Sequence, residues 1–298
     1  MQGVAGAARP AAAHPARRAG PRPRGGAAWL LLPAFAAFGG LFVVPLGALL
    51  VVSFWSVRAR VMRPDLTLSN YAATFRDYGD TLAYTLGAAA AVAALTTLVA
   101  YLFAYAVRFR AGRWADALLF LSLLAFFGGY LVKIYAWKSI LGRDGILNGA
   151  LLWLGVVDEP VDAFIYSGGA VVVALTYFLL PFAILPIYGS LRSIPDGQLA
   201  AARDLGASPL RAARDVVLPQ AERGIAVAFT LSFLIAAGDY VTPRFVGGGA
   251  SLMGHFVETK FTVGFDWPMG SAMAFTLMGA SLLACALARV LFRRAVMP

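Results

Sequence analysis

Residues 193–219 read SIPDGQLAAARDLGASPLRAARDVVLP and lie between two long apolar runs of the chain. Asp196 is expected to cap a short helix, and Gly206 is expected to end it in a left-handed conformation that glycine adopts at little cost. Ser208 is followed by proline, a pair typical of the cap and first turn of a second helix. Pro219 is expected to stop that second helix. The stretch therefore predicts a compact helix-turn-helix.

This predicted helix-turn-helix is longer than a connection between two membrane helices needs, since such connections usually take about 2–8 residues. Its first helix carries a modest apolar stripe formed by Leu199, Ala202 and Leu205. Small residues would let a partner approach the backbone closely, and these are Ala200, Ala201, Ala202, Gly206 and Ala207. The stretch could be a plain connector, but its length and its two caps favour a docking element for a soluble protein.

The regions around this loop are too apolar for a soluble protein. Of the 298 residues, 60% are hydrophobic and 13% are charged, and the mean hydropathy is +0.74. A soluble domain carries about twice that charged fraction. Six apolar segments reach the roughly 20 residues that a helix needs to cross a bilayer, and they lack the alternation of barrel strands. They lie near residues 29–55, 81–107, 115–137, 164–190, 224–245 and 268–292. The sequence predicts an all-α, polytopic membrane protein with six transmembrane helices.

Clusters of arginine predict the orientation of these helices. Basic residues concentrate in residues 1–28, after the second apolar segment, in residues 191–223 and at the C-terminal end, whereas the opposite loops mix basic and acidic residues. Both termini are therefore expected in the cytoplasm. Residues 1–28 predict a disordered tail and residues 29–298 a single transmembrane domain. The net charge of +10 is read as a topology signal, and charges placed between apolar runs argue against a nucleic-acid partner.

The run Ala-Ala-Arg-Asp-Leu-Gly-Ala-Ser at residues 201–208, with Leu-Pro twelve to thirteen positions after the glycine, resembles the EAA loop of ABC importer permeases. These permeases have the MetI-like fold, and their loop forms a coupling helix that sits in a groove of the ATP-binding subunit. The resemblance implies that Ala200 stands where the family has glutamate. The residues implied to couple to the ATPase are Ala200, Ala201, Ala202, Asp204, Gly206, Ala207 and Leu210.

Other segments, among them residues 132–135, 238–241 and 266–268, are similar to those of spermidine/putrescine permeases. This resemblance implies a bacterial inner (plasma) membrane protein that works with a second permease subunit, an ATP-binding subunit dimer and an external solute-binding protein. ATP and Mg²⁺ would be held by the partner, and this chain would bind no cofactor. Permeases for iron, opines and similar solutes share much of the pattern, so a different small solute stays open.

An ionisable residue within a predicted span is a functional candidate. Asp239 lies near the end of the fifth segment beside Tyr240, and a carboxylate with aromatic faces suits the passage of a polycation. Further candidates for the same pathway are Tyr84, Tyr135, Trp137 and Tyr177. Alternatively, Asp239 pairs with Arg244 or caps the backbone freed by Pro243, and the aromatic residues form an interfacial belt. Lys133 is expected to extend to the outer interface.

No motif for catalysis is present in this sequence. A phosphate-binding G-x-x-x-x-G-K-[ST] loop is missing, so ATP hydrolysis is expected in a partner and this chain is expected to be no enzyme. No metal-ligand spacing involves its histidines. The competing interpretation is an ion-coupled secondary transporter, which predicts more membrane-embedded carboxylates and an internal inverted repeat.

Overall fold

A computed structural model describes residues 28–59, 61–124, 126–249 and 252–296, and these are mainly helical. The helices in chain order are α1 (Ala28–Phe38), α2 (Val44–Val52), α3 (Ser69–Phe109), α4 (Ala115–Leu124), α5 (Tyr130–Leu141), α6 (Ile146–Trp153), α7 (Gly168–Arg192), α8 (Asp196–Asp204), α9 (Pro209–Ala212), α10 (Leu218–Gly238), α11 (Val241–Val246), α12 (Met253–Thr262) and α13 (Trp267–Val296). Two short strands, β1 (Ser56–Arg58) and β2 (Val61–Arg63), pair antiparallel with Val57 opposite Met62. The tail predicted over residues 1–28 lies, apart from Ala28, outside the described residues.

The chain divides into two compact units, one up to Ala48 and one from Leu49 onward. In the first unit α1 continues through a π-helical turn at Gly39–Val43 into α2. Its large side chains are exposed, among them Phe35 and Leu41. Exposed apolar side chains along a whole helix are expected where lipid or another membrane subunit surrounds it.

Five helical stretches among the described residues are long and apolar enough to cross a membrane. They are Leu32–Val52, Ser69–Phe109, Gly168–Arg192, Pro209–Gly238 and Trp267–Arg294. The prediction of an all-helical polytopic membrane protein is confirmed. The count of six continuous spanning helices is not confirmed, because the third predicted segment is interrupted.

That third segment, predicted over 115–137, consists of α4, which ends at Leu124, and α5, which begins at Tyr130, with residues 126–129 between them not helical. Each helix is at most about 18 Å long at 1.5 Å per residue, which is shorter than a bilayer core. Two successive glycines, Gly128 and Gly129, disfavour a helix by roughly 1 kcal/mol each relative to alanine. Because α4 buries none of its described side chains, packing does not offset this preference.

The fifth predicted segment, 224–245, is also interrupted, and its helix begins earlier than predicted, at Leu218. Its helix ends at Gly238, where Asp239 turns into an extended conformation, and α11 starts anew at Val241. Pro243 then lies in the first turn of α11, where a missing backbone N–H leaves no hydrogen bond unmade. The break places Asp239 between two helices rather than inside one.

The core is a bundle of α3, α7 and α10 with α13 against it. Ala89, Ala93, Ala100 and Ala104 are fully or almost fully buried along one face of α3. Small residues on one face let membrane helices approach closely, and van der Waals packing then stabilises their association. Gly224 of α10 shows how close the approach is, since a Cβ there would collide with the carbonyl of Pro186 in α7.

Two buried apolar clusters follow one another along this bundle. One joins α3, α5, α7 and the C-terminal half of α10 to α11, α12 and α13. The other joins the C-terminal ends of α3 and α7 to the start of α10, and it includes Ile194 and Leu199 of the loop at residues 193–219. That loop is therefore packed against the end of the bundle through buried apolar side chains.

Candidate functional site: the 193–219 loop and an interhelical seam

The first helix of the 193–219 loop begins one residue earlier than a cap at Asp196 would allow. Pro195 is the N-cap residue, and Asp196 is the first residue of α8. The predicted capping role of Asp196 is wrong, because its carboxylate accepts a hydrogen bond from Arg108 of α3 instead, at 2.6 Å. A carboxylate in the first helical turn still interacts favourably with the helix dipole.

The turn at Gly206 has the predicted geometry. Gly206 has a φ of +83°, and its N–H donates to the carbonyl of Arg203 at 2.8 Å. The next N–H, of Ala207, donates to the carbonyl of Ala202 at 3.0 Å. These two bonds form the motif in which a left-handed residue ends a helix. The prediction for Gly206 is confirmed.

The second helix starts as predicted and ends differently. The Ser208 hydroxyl accepts from the N–H of Arg211 at 3.3 Å, with Pro209 in the first turn of α9. Pro219 does not stop this helix, which passes through a π-helical turn at Ala213–Val217 into α10. The N–H of Leu218 bonds to the carbonyl of Ala213, five residues back, and this wider turn accommodates the ring of Pro219 in the first turn of α10.

The loop has a buried face and an exposed face. Leu199, Ala212 and Val217 point into the bundle and are buried. Leu205 and Leu210 are 89% and 81% exposed and are among the most exposed large apolar side chains of the described residues. The predicted single stripe of Leu199, Ala202 and Leu205 is therefore wrong, because Leu199 faces the bundle and Leu205 faces away from it.

The residues predicted to couple to an ATPase lie on or beside the exposed face. Those that are exposed are Ala200, Ala201, Asp204, Gly206 and Leu210. Ala202 and Ala207 are half-buried at the turn. Leu205 was missing from that predicted set although it has the most exposed apolar side chain of the loop. Its position directly before the turn glycine, at the end of a short helix, was the available signal.

Asp239 accepts hydrogen bonds on both carboxylate oxygens. Tyr130 donates its hydroxyl to Oδ1 at 2.8 Å, and the N–H groups of Val241 and Thr242 donate at 3.1 and 3.3 Å. The carboxylate thus caps the N–H groups at the start of α11, just before Pro243, and not backbone that Pro243 itself frees. An ion pair between Asp239 and Arg244 is not found among the described residues. Tyr130, which joins α5 to this break, was not among the predicted residues.

Aromatic rings line the seam where α5, α7 and α11 meet. Tyr130 packs edge-on against Phe178, with ring centroids 4.6 Å apart. Trp137 and Tyr177 form a similar pair at 5.6 Å, and Tyr135 packs on Phe245 at 5.5 Å. We call this region, formed by α5, α7, Asp239 and α11, the aromatic seam. Three of the predicted pathway residues lie in it together with Asp239.

Lys133 also belongs to the aromatic seam. Its Nζ lies 5.2 Å from the centre of the Phe178 ring, which is within the range of a cation–π interaction. The stem of Lys133 runs beside Gly128, where an added Cβ would lie 3.1 Å from the Cε of Lys133. The expectation that Lys133 extends to the outer interface stays a prediction. Asp239 and Lys133 therefore bring one carboxylate and one ammonium group to the aromatic rings, and α5 and α11 also carry Lys138 and Arg244.

The remaining two candidates lie elsewhere. The hydroxyl of Tyr84 on α3 lies against Gly168 at the start of α7. Tyr240 lines a separate cleft of about 620 Å³ between α10, α12 and α13, together with Glu258. The structure thus does not bring all the predicted pathway residues to one place.

A buried carboxylate was also missed. Glu222 in α10 is 6% exposed, and its Oε1 lies 4.0 Å from the Nε of Arg289 in α13. Residue 222 precedes the apolar segment that was predicted from 224, so the pattern assigned it to the loop. The earlier start of α10 brings Glu222 into the bundle.

Comparison with known proteins agrees with this architecture. Residues 112–296 match the family described as binding-protein-dependent transport system inner membrane component. The spermidine/putrescine transport system permease protein PotB of Salmonella typhimurium is 36% identical over 223 residues, 73% of this chain and 77% of that protein. PotB of Escherichia coli is 34% identical over 222 residues, 73% of this chain and 80% of that protein.

Two further likenesses cover more of the chain. The inner membrane ABC transporter permease protein YdcU of Escherichia coli is 33% identical over 277 residues, 88% of this chain and 87% of that protein. A chain in the crystal structure of a bacterial ABC transporter that imports the acidic polysaccharide alginate has a TM-score of 0.69 at 14% identity, over 91% of this chain and 96% of that one. At that identity the likeness shows a shared fold.

Proposed function

The chain belongs to the family of inner membrane components of binding-protein-dependent transport systems, and we propose that it carries a polyamine such as spermidine or putrescine across the bacterial inner membrane. It is a multi-pass permease of the ABC importer type. The observation that supports a polyamine is the 34–36% identity to PotB permeases over 73% of the chain. Membership of this family decides against an ion-coupled secondary transporter.

The proposed power source is an ATP-binding subunit dimer that docks on the 193–219 loop. Leu205 and Leu210 support this role, because two large apolar side chains on a polar loop gain free energy when a partner covers them. The sequence has no phosphate-binding loop of its own, so ATP and Mg²⁺ belong to that partner. In this arrangement both termini lie in the cytoplasm.

The assembly would also contain a second permease subunit and an external solute-binding protein. Alternating access requires two halves that move against each other, and one such chain supplies one half. The alginate transporter with the same fold has been crystallised with an alginate pentasaccharide-bound periplasmic protein. We expect an equivalent delivery step here, with a protein that binds polyamines.

The aromatic seam is the proposed contact for the solute within this subunit. A polyamine carries several ammonium groups, which interact favourably with a carboxylate and with aromatic faces. Asp239 supplies the carboxylate, and Trp137 and Tyr177 supply aromatic faces. Lys133 opposes a cation electrostatically, so its position over Phe178 would limit how strongly the solute is held.

Solute identity is tested first in the binding protein and then in the complex. We expect the cognate binding protein to bind putrescine or spermidine, and not ferric ion, in a calorimetric titration. Uptake of the same radiolabelled polyamine into proteoliposomes should require the binding protein outside and ATP inside. Binding and uptake of ferric ion or an opine, with none of polyamine, would contradict the proposed solute while leaving the importer class in place.

A further inference from the structure

Arg108 makes the most specific contact between the 193–219 loop and the rest of the bundle. It lies one residue before the end of α3, and its Nη2 donates to the carbonyl of Ile194 at 3.0 Å and to Asp196 Oδ1 at 2.6 Å. These partners lie 86 and 88 residues further along the chain. Arg108 therefore connects α3 to the first turn of α8.

The surroundings of Arg108 favour a fixed contact over a loose surface pair. Its side chain is 20% exposed, whereas that of Asp196 is 81% exposed. Ile194, whose carbonyl it binds, is buried in the apolar cluster that also holds Leu199 and Val217. A charge-assisted hydrogen bond is stronger than a neutral one and is directional, so it resists movement of one helix away from the other.

A second contact holds the other side of α8. The Nε2 of Gln220 in α10 donates to Oε1 of Gln198 at 2.7 Å and to the carbonyl of Val216 at 2.8 Å. Side-chain hydrogen bonds thus connect α8 to α10 through Gln198 and Gln220, and to α3 through Asp196 and Arg108. The chain itself joins the loop to α7 on one side and to α10 on the other. α3 has no such direct connection to the loop.

We propose that Arg108 is a positioning residue through which displacement of α8 by a docked ATPase is passed to α3. The inference rests on the proposed role of the loop as the ATPase docking site. α7 and α10 must follow the loop because the chain connects them to it. Among the described residues, α3 follows through apolar packing and the contact of Arg108 with Ile194 and Asp196. α3 packs on α7, α10 and α13, so its movement would reach most of the bundle.

The test compares ATP hydrolysed with solute imported by the complete reconstituted transporter. Arg108→Gln should leave assembly and ATP hydrolysis near wild type, while the ratio of ATP hydrolysed to polyamine imported rises about fivefold or more. Asp196→Asn, at an exposed position, should raise the ratio in the same direction. The charge exchange R108D/D196R should bring the ratio part of the way back. Arg110→Gln, at an exposed arginine two residues further on, is the matched control and should change nothing.

Two results would overturn the role of Arg108. One is a wild-type ratio in both R108Q and D196N. The other is a parallel fall of assembly, hydrolysis and uptake in both variants, which would make the contact purely structural. A wild-type complex that shows no ATP-dependent uptake would instead contradict the proposed function, so the two failures are distinguishable.

Discussion

At the scale of single residues, Gly206 has the conformation that the loop most depends on. Its φ of +83° costs a side-chain-bearing residue about 1–2 kcal/mol, although a Cβ there would meet no atom within 4 Å. We predict that Gly206→Val weakens the end of α8 and lowers polyamine uptake per ATP hydrolysed in proteoliposomes. Gly197→Val in the same helix also meets open space but has an ordinary φ, and it should retain coupling. Equal behaviour of the two variants would refute a role for the left-handed turn.

The carboxylate of Asp239 offers a second prediction at this scale. Asp239→Asn keeps an oxygen that can accept from the N–H of Val241, so the cap of α11 and the amount of folded protein should be preserved. If the negative charge contacts the solute, loss of a charge-assisted contact should reduce polyamine uptake roughly tenfold. The measurement is the initial rate of uptake at saturating binding protein. An unchanged rate would leave Asp239 with the capping role alone.

Single residues also show which contacts can be predicted from sequence. The turn at Gly206 and the cap at Ser208 involve bonds between residues at most five apart, and both were predicted correctly. Asp196 was misassigned because its partner, Arg108, is 88 residues away. Nothing in the local pattern distinguishes an aspartate that caps a helix from one that binds a distant arginine.

At the scale of elements, the exposed face of the loop predicts the strength of docking. Leu205→Ala or Leu210→Ala should weaken binding of the ATP-binding subunit by about 2 kcal/mol each, or roughly 30-fold, if the partner buries the side chain. The dissociation constant can be measured on the permease complex in lipid nanodiscs. Val156→Ala alters a side chain that is also well exposed, in a loop predicted on the opposite side of the membrane, and should have no effect. Unchanged affinity in both leucine variants would place docking elsewhere.

Helices that run continuously through a long apolar segment were predicted well. Helices that end or restart within such a segment were predicted poorly. The long helices α3, α7 and α13 stand out by composition, since about 20 apolar residues in a row have few alternatives to a spanning helix. The break between α4 and α5 and the restart at α11 interrupt apolar runs of that kind. Membrane proteins tolerate such breaks because nearby groups satisfy the freed backbone. Asp239 does so for the start of α11, and Tyr130, which binds Asp239 there, is 109 residues away in sequence and is not visible in the local pattern.

At the scale of the whole molecule, the orientation in the membrane can be tested with single cysteines. Cys285 is the sole cysteine of the sequence and is buried, so Cys285→Ser provides a background. We expect Val156→Cys to react with a membrane-impermeant maleimide in intact spheroplasts. Arg203→Cys, on the exposed face of α8, should react only after lysis. Labelling of residue 203 in intact spheroplasts would contradict the predicted orientation.

The central claim is that this permease imports its solute with free energy supplied by a partner ATPase. Uptake of radiolabelled spermidine into proteoliposomes that contain the complete complex tests it most directly, with the ATPase either active or inactivated at its catalytic residue. We predict ATP-dependent accumulation with the active subunit and none above background with the inactivated one. Equal accumulation in the two preparations would contradict the account.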